Sequence, residues 1–238
     1  MPIFQIKTGV RKQMLENAPK LFITGIIFIA ITTVMSELQF RLPGTANAYD
    51  LYLQQLANGE LQNLSMIYSY FRPSGVPLAF LLWLLSPVID VGYKSFCIKI
   101  SRGLAGEHKD IFDGFLCFGK ILLIKIITNI LIMLWSLLFI FPGIVAYYRY
   151  RQAYYILLDD PKKGALQCIR ESTSLMRGKK LDLFLLDLSF IGWVALNTLV
   201  VLLLPLPFSL PIVSIWLTPY YGITCATYYN QLISALTV

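Results

Sequence analysis

Six charged residues fall inside apolar stretches: Asp90, Lys94, Lys125, Arg149, Arg151 and Asp187. A charge at hydrocarbon depth costs roughly 2.5–3.5 kcal/mol on insertion scales, so such residues persist where they pair, line a polar cavity or snorkel to an interface. Their spacing suggests what each can do. Asp90 and Lys94 stand four residues apart, acid before base, which on a helix makes a self-neutralising pair on one face; the same pair could belong to an ion or proton path. Asp187 lies near one end of its apolar stretch, at a depth similar to that of Lys125, and its candidate partners are Lys125, Arg149 and Arg151. The run from Tyr147 to Tyr155, YYRYRQAYY, is the most unusual local composition in the chain. At 3.6 residues per turn, Arg149 and Arg151 point about 200° apart. One can then face the interior and an acid, Asp187 or Asp90, while the other reaches a phosphate, which the planar guanidinium bonds bidentately. Tyr147, Tyr150 and Tyr154 add hydroxyl donors. Together these features mark a site for an anionic headgroup or solute. The structural alternative is an aromatic belt with a snorkelling arginine.

Composition indicates the scaffold that must position these residues. The chain has 238 residues, 57% hydrophobic and 14% charged, with mean hydropathy +0.66. A soluble domain is about 45–50% apolar and about 25% charged. The apolar excess is clustered, so the expectation is an all-α, polytopic membrane helical bundle forming one transmembrane domain over 1–238. Six spans are expected, at about 21–38, 76–98, 121–141, 144–158, 183–204 and 212–236. Residues 121–158 would run about 57 Å as one straight helix, nearly twice the hydrocarbon thickness, so a hairpin with its reversal at Pro142-Gly143 is predicted. Of the 20 Lys and Arg, only Arg41 and Arg72 fall in loops assigned to the outside, which places both termini in the cytoplasm. Leu21–Met35 has the apolar character of a signal peptide, but no small-residue cleavage site follows; a first helix that stays is expected.

The connections carry their own pattern. Residues 1–20, the segment around Ile111–Leu116, and the face Ala165, Ile169, Ser172, Met176 read as amphipathic helices on the inner membrane face. Each precedes an out-and-back pair of spans, which suggests three helix-hairpin units. Residues 39–75 are expected outside, with short helices on the outer surface, and 205–211 as a tight outer turn. Gly178-Lys179-Lys180 has the chemistry of a surface for anionic headgroups, or of a topology signal.

Several function classes are excluded. The net charge of +7 comes from basic residues flanking spans, without a stripe interleaved with stacking aromatics, so no nucleic acid partner is expected. The four cysteines form no C-x-x-C, and His108 is the only histidine, so no metal site and no cofactor are expected. Metalloprotease, nucleophile-elbow, P-loop and dinucleotide signatures are missing, and no catalytic residue is assigned.

A set of short motifs lies between Phe141 and Tyr229: Pro142-Gly143-Ile144, Asp160-Pro161, Gly164-Ala165, Ile169, Ser172, Leu175-Met176, Gly178-Lys179, Leu188-Ser189-Phe190-Ile191-Gly192-Trp193, Pro219-Tyr220 and Ala226-Thr227-Tyr228-Tyr229. With these the segment resembles a bacterial family of integral membrane proteins catalogued as domain of unknown function 975. Tyr228 stands where the pattern has Phe, and the Pro-rich 205–211 replaces a Gly-containing connection. The resemblance implies a multi-pass protein of the bacterial plasma membrane and carries no activity. The expected function is therefore non-enzymatic: binding or moving an anionic or amphiphilic molecule, as an accessory component or small permease, with the lipid bilayer and anionic headgroups as partners. The alternatives are a scaffold that stabilises or regulates another membrane protein, and a membrane-embedded enzyme.

Overall fold

A computed structural model describes residues 3–42, 53–54, 73–203 and 212–235. These residues are helical or lie in short connections, and no strand occurs among them. The helices are α1 (Ile3–Glu16), α2 (Ala18–Arg41), α3 (Val76–Ser101), α4 (Phe118–Leu138), α5 (Ile140–Tyr150), α6 (Ala153–Asp159), α7 (Ala165–Leu175), α8 (Lys180–Leu188), α9 (Ile191–Leu203) and α10 (Ile212–Ser234). Short 3₁₀ segments cover Pro73–Gly75 and His108–Cys117. Among the described residues, four helical stretches are long and apolar enough to cross a membrane: Ala18–Arg41, Pro73–Ser101, His108–Leu138 and Lys180–Val200. Most of the expected outer connection, 39–75, and the Pro-rich 205–211 lie outside the described residues.

Two compact units are formed, one from Met1–Ile29 with Val88–Val238 and the other from Ala30–Pro87. In the smaller unit, the Phe80 and Trp83 rings stack at 5.8 Å and Arg41 pairs with Glu37 one turn away. The larger unit holds the core and every candidate residue.

The hairpin of α4 and α5 is the most extensive helix contact in this unit. Its reversal is at Phe139, whose extended backbone (φ −161°, ψ 155°) separates the two helices. This corrects the placement at Pro142-Gly143. Proline has no N–H and its ring clashes only with a preceding helical turn, and the first turn of a helix has unpaired N–H groups to spare, so Pro142, in the first turn of α5, does not break it. Gly143 serves the packing: a Cβ there would overlap the Ser136 side chain of α4.

Two further expectations are corrected. The stretch expected at 183–204 keeps, over Lys180–Val200, the length and composition to cross a membrane, but its hydrogen-bond ladder is interrupted at Ser189-Phe190, between α8 and α9. Lys7 of α1 covers this break, donating from Nζ to the Ser189 carbonyl at 3.2 Å and sitting 4.2 Å from the Phe190 ring centroid. The apolar stripe of α1, expected on the membrane surface, is instead spent on the bundle: Ile6, Val10 and Met14 are buried, and α1 packs along α10.

The amphipathic face expected at Ala165, Ile169, Ser172 and Met176 is buried on α4, α5 and α6. Gly178 ends that element at φ +74°, a left-handed conformation that glycine adopts without steric cost. The 3₁₀ segment lies backbone against backbone on α3. A Cβ at Gly92 would overlap the Ile111 carbonyl, and one at Gly114 the Val88 carbonyl. α3 and α10 continue through Pro87 and Pro219.

Candidate functional site

Tyr147–Tyr155 spans the junction of α5 and α6. Arg151 and Gln152 keep helical backbone angles there, but the ladder is interrupted. Arg151 turns inward. Its guanidinium pairs with Asp187 near the end of α8 and donates also to the Tyr221 hydroxyl of α10. Tyr148 Oη donates to Asp187 Oδ2 and Tyr221 Oη to Oδ1, each at 2.9 Å. The Tyr147, Tyr148 and Tyr221 rings surround the guanidinium with centroids 5.7, 5.9 and 5.7 Å away, a cation–π arrangement. Only 14% of the Arg151 side chain and 21% of the Asp187 side chain are exposed. An acid and a base buried to this extent are tolerable because each neutralises the other and both carboxylate oxygens accept hydrogen bonds. The carboxylate takes three donors, and the guanidinium directs its terminal nitrogens to Asp187, Tyr221 and, at 3.6 Å, Cys225 Sγ.

Arg149, about 200° away around the helix, is arranged differently. Its carbonyl accepts from Ser172 Oγ at 2.8 Å, which pins the backbone to α7. Its Nε is buried without a hydrogen-bond partner, and no ion pair involves it among the described residues. Tyr147 is exposed, while Tyr150 is buried.

The other charges form a second group. Asp90 and Lys94 do not make the expected pair. Lys94 Nζ lies 5.6 Å from the Tyr154 ring centroid, and Asp90 has no ion pair among the described residues. Asp90 is within electrostatic range of both Lys125 and Tyr154. The reason is geometric: Tyr154 of α6 occupies the space beside Lys94, and an ammonium over an aromatic face gains part of what the carboxylate would give. Lys125 does not pair with Asp187, which Arg151 has claimed.

The sequence reading missed a further cluster. Lys99 Nζ donates to Asp110 and Asp113 at 2.8 Å each, and Ser95 Oγ donates to Asp113 at 2.7 Å. Asp110 also accepts from the Glu107 backbone at 2.8 Å. The available signal was the pair of glycines, Gly92 and Gly114, that allows the two backbones to touch. Another cluster joins the ends of three helices: Arg102 chelates Asp159 and donates to Asn230, and Tyr229 Oη donates to Asp159 at 2.8 Å.

Residues 141–235 match a family described as protein of unknown function (DUF975). No curated protein and no solved structure matches the chain. The matched segment contains Tyr148, Arg151, Asp187, Tyr221 and Cys225, so the whole Arg151 network lies inside it. Its short motifs hold the frame around that network. Pro142 and Gly143 shape the hairpin, Gly164 precedes α7, Ser172 pins Arg149, and Tyr228 Oη donates to the Lys179 carbonyl at 3.0 Å. Tyr220 is buried beside Phe190 at the α8–α9 break, the ring centroids 5.2 Å apart.

Proposed function

We propose that the protein is a non-enzymatic, multi-pass protein of a bacterial plasma membrane, with six spans and both termini cytoplasmic, that binds or moves an anionic amphiphile through Arg149. The observation that carries this reading is the contrast between two arginines on one short stretch. Arg151 is neutralised by Asp187 and directs both terminal nitrogens to partners within the protein, Asp187, Tyr221 and Cys225. Arg149 is held in place by Ser172, yet its Nε is buried without an acceptor. A buried donor without an acceptor costs about 1–3 kcal/mol, and a phosphate or carboxylate accepting from the guanidinium edge removes that cost. Catalysis is left out of the reading because Asp187, the acid such chemistry would use, already accepts three hydrogen bonds.

The experiment is native mass spectrometry of the full chain extracted with its lipids, as wild type, Arg149→Lys, Arg149→Ala and Arg151→Lys. The expected result is a copurifying anionic ligand that Arg149→Ala loses and Arg149→Lys only partly retains, because lysine lacks the bidentate fork. Identical ligands in identical amounts from all four samples would reject the site. The scaffold reading would then lead, supported by the Arg151 network, whose bonds between the α5–α6 junction, α8 and α10 have the chemistry of a lock between helices.

A further inference from the structure

We infer that a second site, separate from Arg149, takes the phosphate of an anionic phospholipid in the pocket between the 3₁₀ segment, α3, α4 and α6. The inference rests on the membrane placement proposed above and not on the Arg149 reading. The pocket is open, with a volume of about 830 Å³. Its polar wall is formed by Ser95, Lys99, Asp113 and Lys120; Leu116, Phe118, Leu157 and Leu158 are among the apolar residues that complete the lining.

A donor census indicates the ligand. Each lysine ammonium has three N–H donors and accepts nothing. Lys99 uses two on Asp110 and Asp113. Lys120 uses one on the Pro161 carbonyl. Three charged N–H groups are therefore left at the polar wall, which suits a phosphate. The one acid in the lining, Asp113, opposes an anion; Lys99 and Lys120 leave the lining with one positive charge, which Asp110, bonded to Lys99, offsets, so the attraction for a phosphate rests on the unspent ammonium N–H groups. The rim argues for a lipid over a free anion. Phe115 and Leu116 of the lining, and Phe112 beside Phe115, are 46, 85 and 52% exposed, an unfavourable surface in water and a favourable one at the level where acyl chains begin. A lipid places its phosphate on the lysines and its first methylenes on this rim.

Gly119 supplies a test that leaves the charges alone. It lies in the lining, and a Cβ there meets nothing within 4 Å, so Gly119→Phe fills the pocket without displacing a neighbour at the backbone. The experiment is native mass spectrometry of the detergent-solubilised full chain titrated with phosphatidylglycerol or phosphatidylcholine, with and without inorganic phosphate. Wild type, Gly119→Phe, Lys120→Glu and Arg149→Ala are compared after a thermal melt confirms folding. Wild type should retain one phosphatidylglycerol in preference to phosphatidylcholine. Gly119→Phe and Lys120→Glu should each weaken that retention roughly tenfold or more, the scale of one lost charged hydrogen bond, while Arg149→Ala leaves it unchanged. Equal retention of the two lipids overturns the proposal, as does full retention by Gly119→Phe. Displacement by inorganic phosphate alone assigns the pocket to a free anion and overturns the lipid. Loss in Arg149→Ala with retention in both pocket variants moves the site to Arg149. If Lys120→Glu fails to fold, Gly119→Phe decides.

Discussion

At the residue scale, Arg151 and Asp187 depend on each other. Removing one leaves the other charged, largely buried and without its partner, which for buried pairs costs about 3–5 kcal/mol. The residual exposure of 14 and 21% puts this pair at the lower end. Arg151→Ala and Asp187→Ala should therefore each destabilise the detergent-solubilised protein by about 3 kcal/mol, measured by denaturant unfolding in mixed micelles. Arg151→Met with Asp187→Leu should lose less than either single change, since no charge is then stranded. If the double variant is as unstable as the sum of the singles, the pair is not a unit. The cost of an acid in an apolar stretch made Asp187 visible in the sequence, and the short list of bases made its partner nearly so. Which arginine faces inward was not visible, because a 200° separation fixes only that they differ. The Lys99, Asp110 and Asp113 cluster was hidden for another reason: its acids lie in a 3₁₀ segment placed by contacts between glycines and carbonyls, which leave no periodic signal.

At the element scale, hairpin geometry and loop anchoring can be tested separately. Because Gly143 faces Ser136 across the α4–α5 turn, Gly143→Val should destabilise by about 1–3 kcal/mol, the range for overpacking, and Ser136→Gly should recover part of it. Pro142→Ala should cost less than about 1 kcal/mol, because a first-turn proline gives up no intrahelical hydrogen bond. Thermal melts of the four proteins check both; a large loss in Pro142→Ala would return the reversal to Pro142. That reversal was expected three residues late because Pro-Gly punctuates soluble loops, whereas here the proline starts a helix and the glycine lets it pack. The anchor of α7 carries a pH dependence. The hydrogen bond from Lys163, with a smaller one from Gln167, holds the Glu171 carboxyl below its ordinary range, and Glu171 holds Lys163 above its own. A lowered carboxylate adds stability above about pH 4 and loses it as pH falls through the lowered value; a raised ammonium adds stability below about pH 10 and loses it above. Exchange protection of residues 165–175 should be flat through neutral pH and drop in acid by less than about 1 kcal/mol, since the pair is partly exposed. Glu171→Gln should flatten the acid limb; an unchanged limb would put the sensitivity elsewhere.

At the scale of the whole molecule, the question is which end of the larger unit faces the cytoplasm. The polar contacts there define one end. Arg102 at the foot of α3 holds Asp159 at the foot of α6 and Asn230 at the foot of α10. Lys120 at the start of α4 reaches the Pro161 carbonyl just beyond α6, and Gln13 of α1 donates to the Ser101 carbonyl at 3.3 Å. The basic connections 99–120 and 159–182 therefore meet at the same end, opposite the apolar turn at Phe139, which is 72% exposed. Positive residues are retained on the cytoplasmic side, so that end is expected inside and Phe139 at the outer face. Single cysteines introduced as Lys179→Cys, Phe139→Cys and Arg41→Cys report the orientation, after Cys117→Ser removes the native thiol that is not buried. An impermeant maleimide added to intact cells should label Phe139→Cys and Arg41→Cys, and should label Lys179→Cys only after permeabilisation. The reverse pattern inverts the molecule in the membrane and moves the lysine-lined pocket to the outer leaflet. Labelling of Phe139→Cys and Lys179→Cys from the same side means that the α4–α5 hairpin does not cross. The count of six spans then falls, and the charges near Arg151 would lie in an interfacial bundle and not at hydrocarbon depth.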